Sequence, residues 1–157
     1  MSDQESTQSQ ENPATEKPPI WFTVANIIIL IWNVLGMLAF VMDCAMVYGG
    51  FGLEELPVEQ KELYESRPIW VTIAFALATI GGTIAAVGLV LKKSWAFPVL
   101  LASLAGVLLQ QLYIFVLSDS IEVMGGPTAA IFPVVIILIS MGLVPYSRMA
   151  VARGWLN

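Results

Sequence analysis

The residues of this sequence that could carry chemistry are polar side chains set inside long apolar stretches. One stretch contains Asn26, Asn33 and Asp43, and a later one contains the adjacent pair Gln110 and Gln111. Within a lipid bilayer, amide and carboxyl side chains either bond to neighbouring helices or face a hydrated cavity. These residues are therefore candidates for a solute path or for interhelical hydrogen bonds.

Helical spacing brings several of the amides to comparable positions. Asn26 and Asn33 are seven residues apart, about two helical turns, so they lie on nearly the same side of an α-helix. Asn33 and Gln110 lie roughly 20 and 22 Å from the starts of their helices, near the middle of a membrane. Gln110 and Gln111 point about 100° apart, so one could bond Asn33 or a backbone carbonyl while the other lines a cavity.

Asp43 differs in kind from the amides, because a carboxylate near the end of a membrane helix must be hydrated, paired or protonated. Arg67 and Lys61, both in the loop that follows, could pair with it. Asp43 could equally be an ordinary residue of the membrane interface, so two interpretations stay open.

The composition excludes several kinds of catalytic and metal site. The 157 residues include no His and one Cys, which excludes imidazole-bound haem, the common zinc sites, a His general base and an internal disulfide. No nucleophile paired with a base and no basic patch for nucleic acid occurs in the sequence. We therefore predict a protein that is not an enzyme and that has no metal, no cofactor and no nucleic-acid partner.

The elements that must position these residues are membrane helices. Apolar residues make up 57% of the chain and charged residues 12%, against roughly 45–50% and 25% in soluble domains. Four apolar stretches, at about 20–47, 69–91, 95–117 and 127–146, are each long enough to cross about 30 Å of hydrocarbon. The predicted fold is an all-α membrane protein, a four-transmembrane-helix bundle in contact with the lipid bilayer.

The segments outside these spans are also predictable. Residues 1–18 are polar and acidic, and we expect a disordered cytoplasmic tail ahead of a transmembrane domain at 19–157. Pro57 to Ser66 combines a proline start with good helix formers, which predicts a short extramembrane helix in the first outer loop. Pro133 is expected to bend the fourth helix and free a carbonyl.

Orientation follows from the distribution of lysine and arginine in the loops. One side of the membrane receives five of these residues, namely Lys17, Lys92, Lys93, Arg148 and Arg153. The other side receives Lys61 and Arg67. Because cationic loops stay in the cytoplasm, both termini are expected to be cytoplasmic.

A stripe of small residues runs along the second span. Ala74, Ala78, Gly82 and Ala86 repeat at four-residue spacing, which lets helix backbones approach closely. Ala102 and Gly106 of the third span could be the partners of this packing ridge. The contact could lie within one chain or between two, so a homo-oligomer or other membrane subunits are expected partners.

Several short motifs carry a family resemblance over about Ile20 to Leu156. They are Trp32-Asn33 followed by Gly36, Leu63-Tyr64-Glu65, Pro68-Ile69-Trp70, Lys92-Lys93-Ser94-Trp95-Ala96, and Ser103-Leu104-Ala105-Gly106-Val107-Leu108 followed by Gln110 or Gln111. With these motifs the chain resembles a family of small four-span bacterial membrane proteins labelled as sugar transporters or as uncharacterised membrane proteins. The resemblance implies a bacterial cytoplasmic (inner) membrane and assigns no site residue.

Two functions are compatible with these patterns. The first is a transporter or channel component for a small polar, sugar-like solute, which acts as an oligomer with its path between protomers. The second is a non-transporting accessory or assembly subunit of a larger membrane complex. Amides at membrane depth favour the first, and the packing ridge suits the second.

Overall fold

The protein is an all-α bundle with four helices long and apolar enough to cross a membrane. A computed structural model describes residues 17–157, and this part of the chain contains no strand. Its α-helices are α1 (Ile20–Gly49), α2 (Val58–Glu65), α3 (Ile69–Val90), α4 (Ala96–Leu112), α5 (Ser120–Val123) and α6 (Ile131–Ala152). The predicted four-span fold is therefore confirmed, and the chain is an integral, multi-pass membrane protein.

The helix boundaries follow sequence signals closely in the first three spans. Pro19 and Pro68 directly precede α1 and α3, and Gly50 ends α1 in the left-handed conformation that glycine adopts without strain. The extramembrane helix is present as α2. The predicted tail at 1–18 lies outside the described residues except for its last two positions.

The fourth span departs from the prediction in two ways. A 3₁₀ segment, Gly126–Ala130, leads into α6, so Pro133 lies in the first helical turn, where its missing N–H would have had no partner. The bend expected at Pro133 stays a prediction. The helix also continues past Pro145 to Ala152, instead of ending near Tyr146.

Packing beyond Pro145 explains why α6 continues. Ser147 and Ala150 are fully buried, and the Tyr146 hydroxyl donates a hydrogen bond to Asn26 on α1. These contacts offset the roughly 3 kcal/mol that an internal proline costs a helix.

Both ends of the chain's helical domain meet at one end of the bundle, which we call the terminal end. There Phe22 of α1, Leu89 of α3, Leu100 of α4 and Trp155, which follows α6, form one buried apolar cluster. The Phe22 ring lies 5.6 Å from that of Tyr146 and 5.1 Å from that of Trp155, measured between centroids. The loop containing α2 lies at the opposite end, which we call the loop end.

The packing ridge of α3 is used within the chain. Ala74, Ala78, Gly82 and Ala86 are buried, and a Cβ added to Gly106 of α4 would lie 2.7 Å from backbone atoms of the ridge. Gly106 is therefore a partner of the ridge, as expected.

The prediction that Ala102 also packs against the ridge was wrong. Ala102 is exposed, and its neighbour Ser103 takes the contact by donating a hydrogen bond to the Ala78 carbonyl at 2.7 Å. Ser103 and Gly106 are three residues apart, so they share one face of α4 and both meet the ridge of α3. Ala102 is adjacent to Ser103 and therefore points about 100° away from that face.

Candidate functional site

The centre of the bundle contains a cavity of about 740 Å³, which we call the inner cavity. All four long helices contribute to its wall, which includes Trp32, Asn33, Thr79, Ser103, Gln110, Gln111, Phe132 and Ser140. Its volume lies within the range of about 300–1,000 Å³ that is usual for small-molecule sites. The structure therefore places a ligand-sized space inside one chain.

Four of the five candidate polar residues line this inner cavity. They are Asn33, Asp43, Gln110 and Gln111. The Asn33 amide donates to the Ile29 carbonyl of its own helix at 2.8 Å, which leaves its oxygen directed at Gly82 of the ridge. A Cβ at position 82 would collide with that oxygen, so the Asn33 amide could keep this position only beside a glycine.

Asn26 has a different environment from the other candidates. Its side chain is 1% exposed, donates to the Leu89 carbonyl at 3.0 Å and accepts from the Tyr146 hydroxyl at 2.8 Å. Three helices are joined by these two bonds. Asn26 is therefore an interhelical connector and not a cavity residue, and the sequence had left both interpretations open.

Gln111 is a buried polar residue of the cavity wall. Its side chain is 4% exposed, and within the described chain its buried Oε1 has no hydrogen-bond partner. An unpaired buried carbonyl costs about 1–3 kcal/mol, and most native proteins avoid it. Oε1 is closed off from the cavity, so a bound molecule could supply the missing donor only after the Gln111 amide rotates.

A second space of about 410 Å³, the outer cavity, lies toward the loop end. Leu63 and Tyr64 of α2 line it, together with Ser120 and Ile121 of the α5 region. The two cavities share Asp43, Tyr64, Gln110, Ile114, Met124, Phe132 and Pro133 in their walls. The shared wall shows that the two cavities are adjacent.

Asp43 and Arg67 form a bidentate ion pair at the junction of the two cavities. Arg67 Nη1 donates to Oδ1 at 2.9 Å, and Nη2 donates to Oδ2 at 2.6 Å. The two side chains are only 14% and 11% exposed, respectively. Of the two cations that could have paired with Asp43, Arg67 does so, and Lys61 instead pairs with Glu54 at 2.8 Å.

The surroundings of Arg67 keep its guanidinium charged. Burial lowers the pKa of Arg67, but the hydrogen bonds and charge of Asp43 outweigh it and leave that pKa above its ordinary value. Burial, followed by the charge of Asp43, raises the pKa of the Tyr64 hydroxyl. Arg67 Nε is buried and has no partner among residues 17–157, so one donor remains free at this junction.

The helix that carries both glutamines changes geometry directly after them. Residues Tyr113–Leu117 form a π-helical turn, and Tyr113 and Ile114 of this turn line the outer cavity. Tyr113 packs edge-on against Trp70, with ring centroids 5.7 Å apart. Single π turns inside α-helices are frequent at functional sites. No feature of the sequence indicated this turn.

Sequence reasoning also missed the roles of Phe132 and Tyr146. The phenol of Tyr146 offered a usable signal, because a tyrosine inside an apolar helix normally finds a hydrogen-bond partner. Phe132 gave no such signal, since one phenylalanine in an apolar helix does not differ from its neighbours.

Comparison of the chain with models of protein families, with curated proteins and with solved structures finds no match. The family resemblance stated above therefore stays a prediction. What the arrangement can do chemically follows from the site alone: it offers amide, carboxylate and guanidinium groups to a bound molecule. Within residues 17–157, no group of three or more Cys, Asp or Glu side chains could hold a metal ion.

Proposed function

We propose that this protein is a transporter for a small molecule and that this molecule binds in the inner cavity of a single chain. The observation that carries the proposal is a cavity of about 740 Å³ inside the bundle, with the amide side chains of Asn33, Gln110 and Gln111 in an otherwise largely apolar wall. Such a wall, apolar with a few polar groups, is typical of small-molecule sites.

The shape of the space favours a transporter over a permanently open channel. The two adjacent cavities lie between the loop end and the middle of the bundle, whereas the buried cluster around Phe22 and Trp155 closes the terminal end. A solute that crossed completely would need this cluster to open. Transport would then alternate between exposure at the loop end and exposure at the terminal end.

The location of the path differs from the arrangement expected from sequence. A path between protomers was expected because four helices enclose little space, and because the ridge on α3 was free to join two chains. The ridge packs against Ser103 and Gly106 of the same chain. We therefore place the path within one chain, and the ridge gives no support to an accessory subunit or to an oligomer.

Membrane and orientation belong to the same proposal. The family resemblance supports a bacterial inner membrane, and the lysine and arginine distribution supports cytoplasmic termini. The loop end and the outer cavity would then face the outside of the cytoplasmic membrane.

Uptake into proteoliposomes tests transport. Two radiolabelled probes cover a fully polar and a partly apolar solute: glucose, and N-octyl-N,N-dimethylethanolammonium, whose permanent charge prevents free diffusion. We expect uptake of at least one probe by the wild-type protein, and a loss of tenfold or more in Gln111→Leu. Leu38→Ala, on the exposed face of α1, is the control that should retain uptake. Equal accumulation in wild-type, Gln111→Leu and empty liposomes for both probes would contradict transport.

A further inference from the structure

The inner cavity opens sideways between α1 and α6. Leu35 and Met42 of α1 and Phe132 of α6 line the cavity, yet they are 57%, 53% and 63% exposed. Side chains that border both a cavity and the outer surface of a membrane bundle mark an opening toward lipid. Trp32 and Phe132 approach each other across this opening, with ring centroids 6.3 Å apart.

The chemistry of the wall calls for a ligand with a large apolar part. Besides the few polar groups already described, the lining consists of aliphatic, aromatic and methionine side chains, among them Met42, Phe75, Val107, Ile136 and Leu143. A molecule with hydroxyl groups on every carbon would leave most of them unpaired against this wall, at a cost of about 1–3 kcal/mol each. An apolar chain would instead gain from burial.

Gln111 specifies the polar part of the ligand. Its Oε1 has no partner within the described chain, and a rotation of the amide that turned this atom into the cavity would let it accept a hydrogen bond from an O–H or N–H donor.

Charge at the loop end points in the same direction. Exposed acidic residues flank the segments that line the outer cavity, namely Glu62 and Glu65 on α2 and Asp119 and Glu122 near α5. The nearest cation, Arg67, is neutralised by Asp43. The potential at this mouth therefore disfavours anions and favours neutral or cationic molecules.

We propose that the ligand of the inner cavity is a neutral or cationic amphiphile, whose hydroxyl or N–H group bonds Gln111 while its apolar chain lies toward the opening between α1 and α6. This inference rests on the proposed function only in so far as it treats the bound amphiphile as the transported molecule. Binding itself can be measured without any transport.

Equilibrium binding to the protein in lipid nanodiscs tests the ligand class, with empty nanodiscs subtracted for partitioning. The probe is tritiated N-octyl-N,N-dimethylethanolammonium. Three matched competitors are N-octyl-N,N-dimethyl-N-ethylammonium, which lacks the hydroxyl, choline, which lacks the chain, and octyl sulfate, which reverses the charge. We expect the hydroxyl-free compound to compete five- to tenfold less well, and choline and octyl sulfate at least tenfold less well. Equal competition by octyl sulfate, or by choline, would overturn the proposal.

Variants connect the binding to the cavity. Gln111→Leu should weaken binding of the hydroxyl probe five- to tenfold and leave the hydroxyl-free analogue unchanged, since only one of the two donates to Oε1. Ala39→Trp fills the cavity from α1 and should abolish binding of both, whereas Leu38→Trp, its neighbour outside the cavity wall, should not. Equal affinity of the hydroxyl probe for wild-type and Gln111→Leu would remove Gln111 from the site.

Photolabelling tests the orientation of the ligand. The same probe with a diazirine at the end of its chain should label the lateral opening, at Leu35, Met42 or Phe132. Labelling confined to the terminal-end cluster would contradict the assigned orientation. If the probe binds as expected but uptake fails, the ligand class stands and transport is wrong. If glucose is taken up and the octyl probe does not bind, transport stands and the ligand class is wrong.

Discussion

The ion pair of Asp43 and Arg67 links α1 to the loop before α3 at the level where the two cavities join. Its geometry is bidentate and its side chains are largely buried, so it differs from a surface pair that solvent screens. The pair both closes the space between two helices and sets the charge at the entrance. Loss of this ion pair should therefore lower the stability of the protein and also change ligand binding.

Removing one partner should be costly, and removing both should be much less so. Arg67→Met leaves a buried carboxylate without its cation, and we expect the free energy of unfolding in detergent to fall by about 3 kcal/mol. The double variant Asp43→Asn with Arg67→Met should recover most of this loss. Lys61→Met, which breaks the exposed pair with Glu54, is the control and should change stability little. Equal losses in the single and double variants would contradict the pairing.

Gln111 should show the reverse behaviour, because its side chain lowers stability in the absence of ligand. Gln111→Met keeps a similar volume and removes the unpaired acceptor, so we expect a gain of about 1 kcal/mol in unfolding free energy. Asn26→Leu, which breaks two satisfied bonds, should instead lose about 1 kcal/mol. Denaturation of both variants in the same detergent compares them directly. A loss in both would mean that Oε1 is already satisfied in the protein.

Among the helices, α3 and α4 make the closest contact of the bundle, and glycine is what allows it. A Cβ at Gly106 would lie 2.7 Å from the Ala74 carbonyl oxygen and the Ala78 nitrogen, and backbone atoms cannot move aside as flexible side chains do. Gly106→Ala should therefore separate the helices and lower the unfolding free energy by about 1–3 kcal/mol.

Gly142 provides the matched control for that substitution. It lies inside α6, and apart from its chain neighbours and the backbone of its own helix no described atom would come within 4 Å of its added Cβ. Gly142→Ala should be neutral or should stabilise by up to about 1 kcal/mol, because alanine favours a helix. Comparable losses at positions 106 and 142 would show that the close contact with α3 does not determine the effect.

The helices themselves were largely predictable, and the space between them was not. Apolar length and flanking prolines fixed α1 and α3 to within a few residues, because a bilayer requires about 20 apolar residues per crossing. The extension past Pro145 depends on contacts of Ser147 and Ala150 with other helices, which no local pattern reveals. Lipid-facing and core-facing residues are both apolar here, so periodicity could not show which side chains line a cavity. Candidate polar residues were identifiable, but the sequence could not separate Asn26 from Asn33.

At the scale of the whole molecule, the shared position of the two ends of the helical domain has a direct consequence for topology. Trp155 packs on Phe22, so the start of α1 and the end of α6 lie on one side of any membrane that the bundle spans. The loop containing α2 lies on the other side. The prediction that the terminal end is the cytoplasmic side rests on the distribution of lysine and arginine.

Cysteine labelling in intact cells checks this topology. In a Cys44→Ala background, cysteines at the exposed positions Glu59 and Asn157 mark the loop end and the terminal end. An impermeant maleimide should label position 59 in intact cells, and position 157 only after permeabilisation, because the cationic terminal end stays in the cytoplasm. Labelling of 157 alone would reverse the orientation but preserve the bundle. Labelling of both positions in intact cells would contradict the four-span fold itself. Four crossings place both ends of the helical domain on one side of the membrane and the loop containing α2 on the other.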